Sequence, residues 1–264
     1  MLNIMAISLK GIFRDRIFQG IMGLAVLFLF IPSAASLSMR QVTELSITLS
    51  LSLISFIMLL LAVFLGATSI WKDIERRYTY SILSLPLSRT AYLLGRFLGI
   101  ALFMLLTALF LGGVAMLAIK VASVLYPPAR PVLWIAVLAS ILYGTLKYIL
   151  LVAVSMLLAT VSTSFFLPVF GTICTYLAGS ITQQVYDYLH TPAAVKAISP
   201  IMKQAALFFY YLLPNLSAFD LKVNAIYALP LNASGLLMTA LYFIVYTSVL
   251  LAAGAILLGR REMK

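Results

Sequence analysis

From Leu45 to Ile70 the chain runs for 26 residues without one Asp, Glu, Lys, Arg or His, and Trp71-Lys72-Asp73 ends the run abruptly. As a helix rising 1.5 Å per residue, such a stretch covers about 39 Å, more than the ~30 Å hydrocarbon core of a bilayer. Inside lipid every backbone N–H and C=O must be satisfied by the chain itself, which leaves helices or closed barrels. The long uninterrupted run selects the helix. The expected fold is therefore an all-α polytopic membrane protein, with residues 1–264 as a single transmembrane domain. Composition agrees: 64% hydrophobic and 9% charged residues lie outside the range of soluble globular domains.

Five further apolar stretches resemble that run. The predicted spans cover 17–37, 45–70, 91–121, 134–161, 165–185 and 235–259, giving six transmembrane helices. Pro32 is expected to kink the first, and Pro127, Pro128 and Pro131 forbid a continuous helix between the third and fourth. Gly95 and Gly99 have the small-xxx-small spacing that lets helices approach closely, either within the chain or between two copies. Ahead of the spans, residues 1–16 alternate apolar positions with Lys10, Arg14 and Arg16, the pattern of an interfacial helix with its basic side outward. A signal peptide cleaved near Ala34, Ala35 and Ser36 is the alternative reading of this beginning.

The formal charge of +11 does not point to nucleic acid, because the basic residues cluster at span ends. With both termini in the cytoplasm, eleven of the eighteen Lys and Arg fall inside: Lys10, Arg14, Arg16, Lys72, Arg76, Arg77, Arg89, Arg96, Arg260, Arg261 and Lys264. That distribution obeys the positive-inside rule and makes the lipid bilayer the first partner. The lone Cys174 excludes an intrachain disulfide, and the lone His190 leaves metal chemistry almost without ligands.

The charged island at 71–96 interrupts the membrane pattern most densely. Within it, 78–87 is too short to cross a bilayer, Pro86 ends it, and Ser88 is placed to cap the helix that follows. A short amphipathic segment held between two rigid spans suits the passing of a push from a cytosolic protein. An ordinary charged hairpin is the competing reading on physics alone.

Lys147 is a strongly polar residue near the middle of the fourth predicted span. An ammonium there costs about 2.5 to 3.5 kcal/mol on insertion scales, so it either faces a cavity or the bundle interior, near Tyr143 and Tyr148, or snorkels toward the cytosol. The long outer connection at 186–234 is expected to carry short extracytoplasmic helices. One is the aromatic run 205–213, stopped by Pro214 and suited to a re-entrant or interfacial position; a second is expected from the capping-box spacing of Ser217 and Asp220. Asn215-Leu-Ser217 and Asn232-Ala-Ser234 match a glycosylation pattern that arises readily by chance. No zinc-protease motif, paired intramembrane carboxylates or histidine near an intramembrane serine supports catalysis, so the chain is not expected to be an enzyme.

The motif Glu75-Arg76-Arg77-Tyr78, Ser84-Leu85-Pro86-Leu87-Ser88-Arg89 and Tyr92-Leu93-Leu94-Gly95-Arg96, placed between spans and following a basic N-terminal segment, resembles the type-2 family of ABC transporter permeases. It is similar in particular to the subgroup associated with copper-enzyme maturation and related exporters. The resemblance covers essentially the whole chain and is sharpest over 84–96. It implies that 75–88 contains the coupling helix, with Glu75, Arg76, Arg77, Tyr78, Tyr80, Ile82, Leu83, Leu85, Pro86, Ser88 and Arg89 meeting a cytosolic ATPase. Lys10, Arg14 and Arg16 would belong to the elbow helix.

The chain has no G-x-x-x-x-G-K-[ST] phosphate loop. By resemblance, ATP and magnesium belong to a separate cytosolic ATPase subunit, and a second permease subunit completes a homodimer or heterodimer. The expected function is the membrane subunit of an ATP-driven exporter in the bacterial inner membrane. Two other classes stay open at this point: a non-ABC transporter or channel using Lys147, and a membrane assembly factor without a transport cycle.

Overall fold

The computed structural model describes residues 5, 11–12, 19–20, 23, 30–36, 41–75, 88–128, 130–192 and 199–260. Among these there is no strand. After the short α1 (Ile31–Ala35) come α2 (Val42–Glu75), α3 (Arg89–Leu125), α4 (Trp134–Val161) and α5 (Phe166–Leu189). The connection at 186–234 contributes α6 (Pro200–Leu212), a single 3₁₀ turn (Ser217–Phe219) and α7 (Lys222–Tyr227), before α8 (Ala233–Arg260).

Four of these are long and apolar enough to cross a membrane: 42–71 within α2, and the whole of α3, α4 and α8. They match the second, third, fourth and sixth predicted spans to within a turn or so at each end. The fifth predicted span is α5, whose last turns carry Gln183, Gln184 and Asp187 and lower its apolar character. The first predicted span lies mostly outside the described residues, as does the elbow segment except for Met5, Gly11 and Ile12.

Local chemistry explains the helix ends. Ser88 accepts from the Ala91 N–H at 3.2 Å, giving α3 the predicted cap. Ser199 does the same for α6 by accepting from Met202, and Pro200 occupies the first helical turn, where its missing N–H costs nothing. The expected capping box at Ser217 does not form. Those residues make the 3₁₀ turn, and Asp220 instead accepts from the Lys222 N–H at 3.1 Å, so that α7 starts five residues later than Ser217.

α4 is the centre of the bundle, packing against α2, α3, α5, α7 and α8. Its stretch from Lys147 to Met156 is buried without interruption, which explains why the run Ile149-Leu-Leu-Val-Ala-Val154 shows no polar face. The α2–α4 contact is closest at Gly66. A Cβ there would stand 2.6 Å from the Ser155 Cβ, so only glycine permits this approach. Gly95 and Gly99 are both buried within the chain, as intramolecular packing requires.

Side-chain contacts fix how the long helices alternate. At one end Thr43 at the start of α2 donates to the Tyr126 carbonyl just past α3. At the other, Trp71 packs on Phe165 at 5.3 Å, bringing the late part of α2 to the start of α5. Arg89 at the start of α3 reaches the last turn of α8 there as well. α5 therefore begins at the end of the bundle where α2 finishes and ends against α6.

Candidate functional site

Lys147 lies midway along α4, about 20 Å of helix from either end. A lysine side chain cannot span that distance, and the residue is only 5% exposed. Its ammonium rests over two aromatic faces, with Nζ 5.1 Å from the Tyr148 ring centre and 6.0 Å from that of Tyr176. The rings lie 6.3 Å apart at 31° to one another. Ring quadrupoles thus take the place of water around the charge, an interaction worth about 2 kcal/mol when desolvated.

Of the two neighbours expected from sequence, Tyr148 has its ring beside the Lys147 ammonium, and Tyr143 stands one turn before Lys147 on α4. The Tyr143 hydroxyl donates to the Leu236 carbonyl on α8 at 3.0 Å. Tyr176, on α5, had no signal linking it to Lys147, since only the fold brings these positions together.

Next to this arrangement a small cleft opens between α2 and α4. Leu51, Ile54, Ser55 and Met58 come from consecutive turns of α2, and Ser140, Ile141, Gly144, Thr145 and Tyr148 from consecutive turns of α4, the i, i+3, i+4, i+7 spacing of facing helices. Lys222 of α7 also lines it. The open interior amounts to about 10 Å³, close to what one water molecule needs. Ser55 and Thr145 spend their protons on the Leu51 and Ile141 carbonyls, leaving oxygen lone pairs toward the cleft. Tyr148 is only 1% exposed, and Ser55 and Tyr176 are the side chains its hydroxyl meets among the described residues.

A second polar cluster joins the late part of α5, α6, the stretch around Asn215 and the early part of α8. Asn215 organises it: its N–H donates to the Tyr242 hydroxyl at 2.9 Å, its Nδ2 to Gln183 Oε1 at 2.8 Å, and its Oδ1 accepts from Ser217 at 2.7 Å. Gln183 in turn donates to Asp187 and accepts from Tyr210, while Tyr210 stacks on Tyr186 at 4.4 Å. Gly179 allows the connection to fold down onto α5, where Leu216 N–H donates to the Gly179 carbonyl at 3.0 Å. The Asn215 side chain is thus committed within the fold, although its Asn-x-Ser pattern reads as an acceptor site in sequence.

The island residues divide. Arg76, Arg77, Tyr78, Tyr80, Ile82, Leu83, Leu85 and Pro86 lie outside the described residues, as do Lys10, Arg14 and Arg16. Glu75 ends α2, and its side chain also lies outside them. Ser88 caps α3. Arg89 donates through Nη1 to the carbonyls of Leu258 and Gly259, both at 2.9 Å, and so binds the C-terminal turn of α8. Arg96 lies over the Tyr92 ring, one turn earlier on α3, at 5.9 Å. No protein-family model matches this chain, and no curated protein matches it. A helical membrane protein with four apolar spans is the level of description at which fold and composition meet.

Proposed function

We propose that the chain is the membrane permease subunit of an ATP-driven transporter of the ABC class, working as an exporter in the bacterial inner membrane. The motif resemblance over 75–96 supplies the family. The observation that carries the mechanism is the attachment of the island to the bundle. Through α2 the island leads to Trp71 and its contact with Phe165 of α5; through Arg89 it is tied to α8. A force on 76–87 would therefore reach α2, α3, α5 and α8 together.

In this reading α5 is a membrane span, supported by its start beside Trp71 and its end in the outer cluster. The first predicted span completes six, and both termini face the cytoplasm. Two permease chains pair, and ATP with magnesium binds the separate cytosolic ATPase subunits. Closure of the ATPase pair moves the coupling segment and shifts the packing of α2 and α3 against α4. Among the described residues, Ser46 and Ser50 of α2 and Ser155 of α4 are buried with hydroxyls that meet no hydrogen-bond partner.

The test is transport by the complex reconstituted with its ATPase. Glu75→Lys should lower both ATP turnover and transport while leaving membrane insertion intact. Wild-type values for both would remove the coupling role from the island. A non-ABC transporter centred on Lys147 is the second reading, favoured by the burial of that ammonium at mid-span.

A further inference from the structure

We propose that the cavity between the first turns of α2, the bend at Arg130 and α7 binds a small zwitterion, with Glu44 receiving its ammonium and Arg130 its carboxylate. The cavity has an open volume of about 420 Å³, within the usual range for small-molecule sites. Glu44 and Thr48 line it from one face of α2, a turn apart, and Arg130 and Tyr227 line it from the other side. It lies at the end of the bundle where Thr43 meets the Tyr126 carbonyl, opposite the end held by Trp71 and Phe165.

Glu44 and Arg130 border the same volume without pairing with each other. Glu44 is half-buried, and among the described residues its carboxylate meets no hydrogen-bond or ionic partner. Arg130 donates through Nη1 to the Tyr227 carbonyl at 3.3 Å, which leaves the guanidinium further donors for a ligand. Two opposite charges held apart on one cavity select by sign. A simple carboxylate is attracted by Arg130 and opposed by Glu44, a simple amine meets the reverse, and a molecule bearing both charges is attracted at both ends. Thr48 spends its proton on the Glu44 carbonyl at 2.8 Å, so its oxygen is left to accept from the same ammonium. Leu45 and Ile226 add apolar wall for the short carbon spacer between the two charges. The inference goes beyond the permease reading and does not rest on it.

The test uses the full chain in maltoside micelles at low salt without any ATPase, so failure of the permease reading leaves it intact. Calorimetric titration compares glycine, γ-aminobutyrate and ε-aminocaproate, which differ in the spacing of their charges, with butyrate and butylamine, which carry one charge each. At least one of the three zwitterions should bind about tenfold or more tightly than either single-charge compound. Glu44→Gln and Arg130→Gln should each raise the dissociation constant of that zwitterion about tenfold or more, the loss of one charge-assisted hydrogen bond. Glu44→Gln should at the same time tighten butyrate, and Arg130→Gln should tighten butylamine, because each removes the repulsion that excluded the compound. A cavity merely damaged by substitution would lose affinity without these gains. Zwitterions binding no better than butyrate and butylamine, or wild-type zwitterion affinity in both variants, would overturn the proposal.

Discussion

Arg89 and Leu258 are 169 positions apart in the chain, yet the Arg89 guanidinium donates to the Leu258 carbonyl at 2.9 Å and to that of Gly259 at the same distance. The last carbonyls of a helix lack intrahelical partners and carry the negative end of its dipole. An arginine there satisfies two of them at once. The contact joins the helix leaving the charged island to the final span, giving the island a mechanical connection beyond its two flanking helices.

Arg89→Gln should lower folding stability by about 1 to 2 kcal/mol, because the charge and at least one of its hydrogen bonds are lost. Arg89→Lys should recover part of the loss and Arg89→Glu should be worse than Gln, since a carboxylate opposes the helix C-terminus. Thermal unfolding of the three purified variants checks this order.

Lys147→Met should raise stability by about 1 kcal/mol: removing an ammonium from mid-membrane relieves about 2.5 to 3.5 kcal/mol, while the lost contacts with two rings offset up to about 2. Denaturant unfolding in a fixed detergent measures the sign. Tyr176→Leu, which keeps the charge but removes one of its rings, should be destabilising.

Helix positions, basic ends and proline stops were legible because each depends on neighbours within a few residues. Trp134 to Val161 was expected as a span and forms one of that length, and the Ser88 cap follows from the three residues after it. The Arg89–Leu258 contact, Tyr176 beneath Lys147 and the convergence of Gln183, Ser217 and Tyr242 on Asn215 depend on how separate helices meet. Hydropathy specifies that a helix enters the membrane, not which face it turns to which neighbour, because every face is apolar. The Asp220 bond to the Lys222 N–H was hidden for a different reason: Ser217 offered an equally good local signal, and the descent of Leu216 onto Gly179 accompanies a 3₁₀ turn in those residues.

Gly66→Ala should cost about 1 to 3 kcal/mol, because its new methyl group would overlap Ser155. Ser155→Gly in the same chain should restore at least half of the loss, as the two changes exchange space across one contact. Unfolding midpoints of the single and double variants form the required cycle.

Asn215→Ala should destabilise the outer cluster by about 1 to 3 kcal/mol by leaving partners of its side chain unpaired. Hydrogen exchange should rise in α6 and the last turns of α5 while the middle of α4 remains protected. Unchanged exchange throughout would show that the cluster does not hold the connection down.

In the proposed permease reading the island couples this chain to a separate ATPase. The most direct measurement is ATP hydrolysis and transport by the complex purified from native membranes, with mass spectrometry of every chain present. The account predicts a co-purifying subunit bearing a G-x-x-x-x-G-K-[ST] loop, with hydrolysis and transport both lost when residues 78–87 are replaced by a glycine-serine linker. Full transport in the absence of any such subunit, or undiminished coupling with the linker in place, would contradict it.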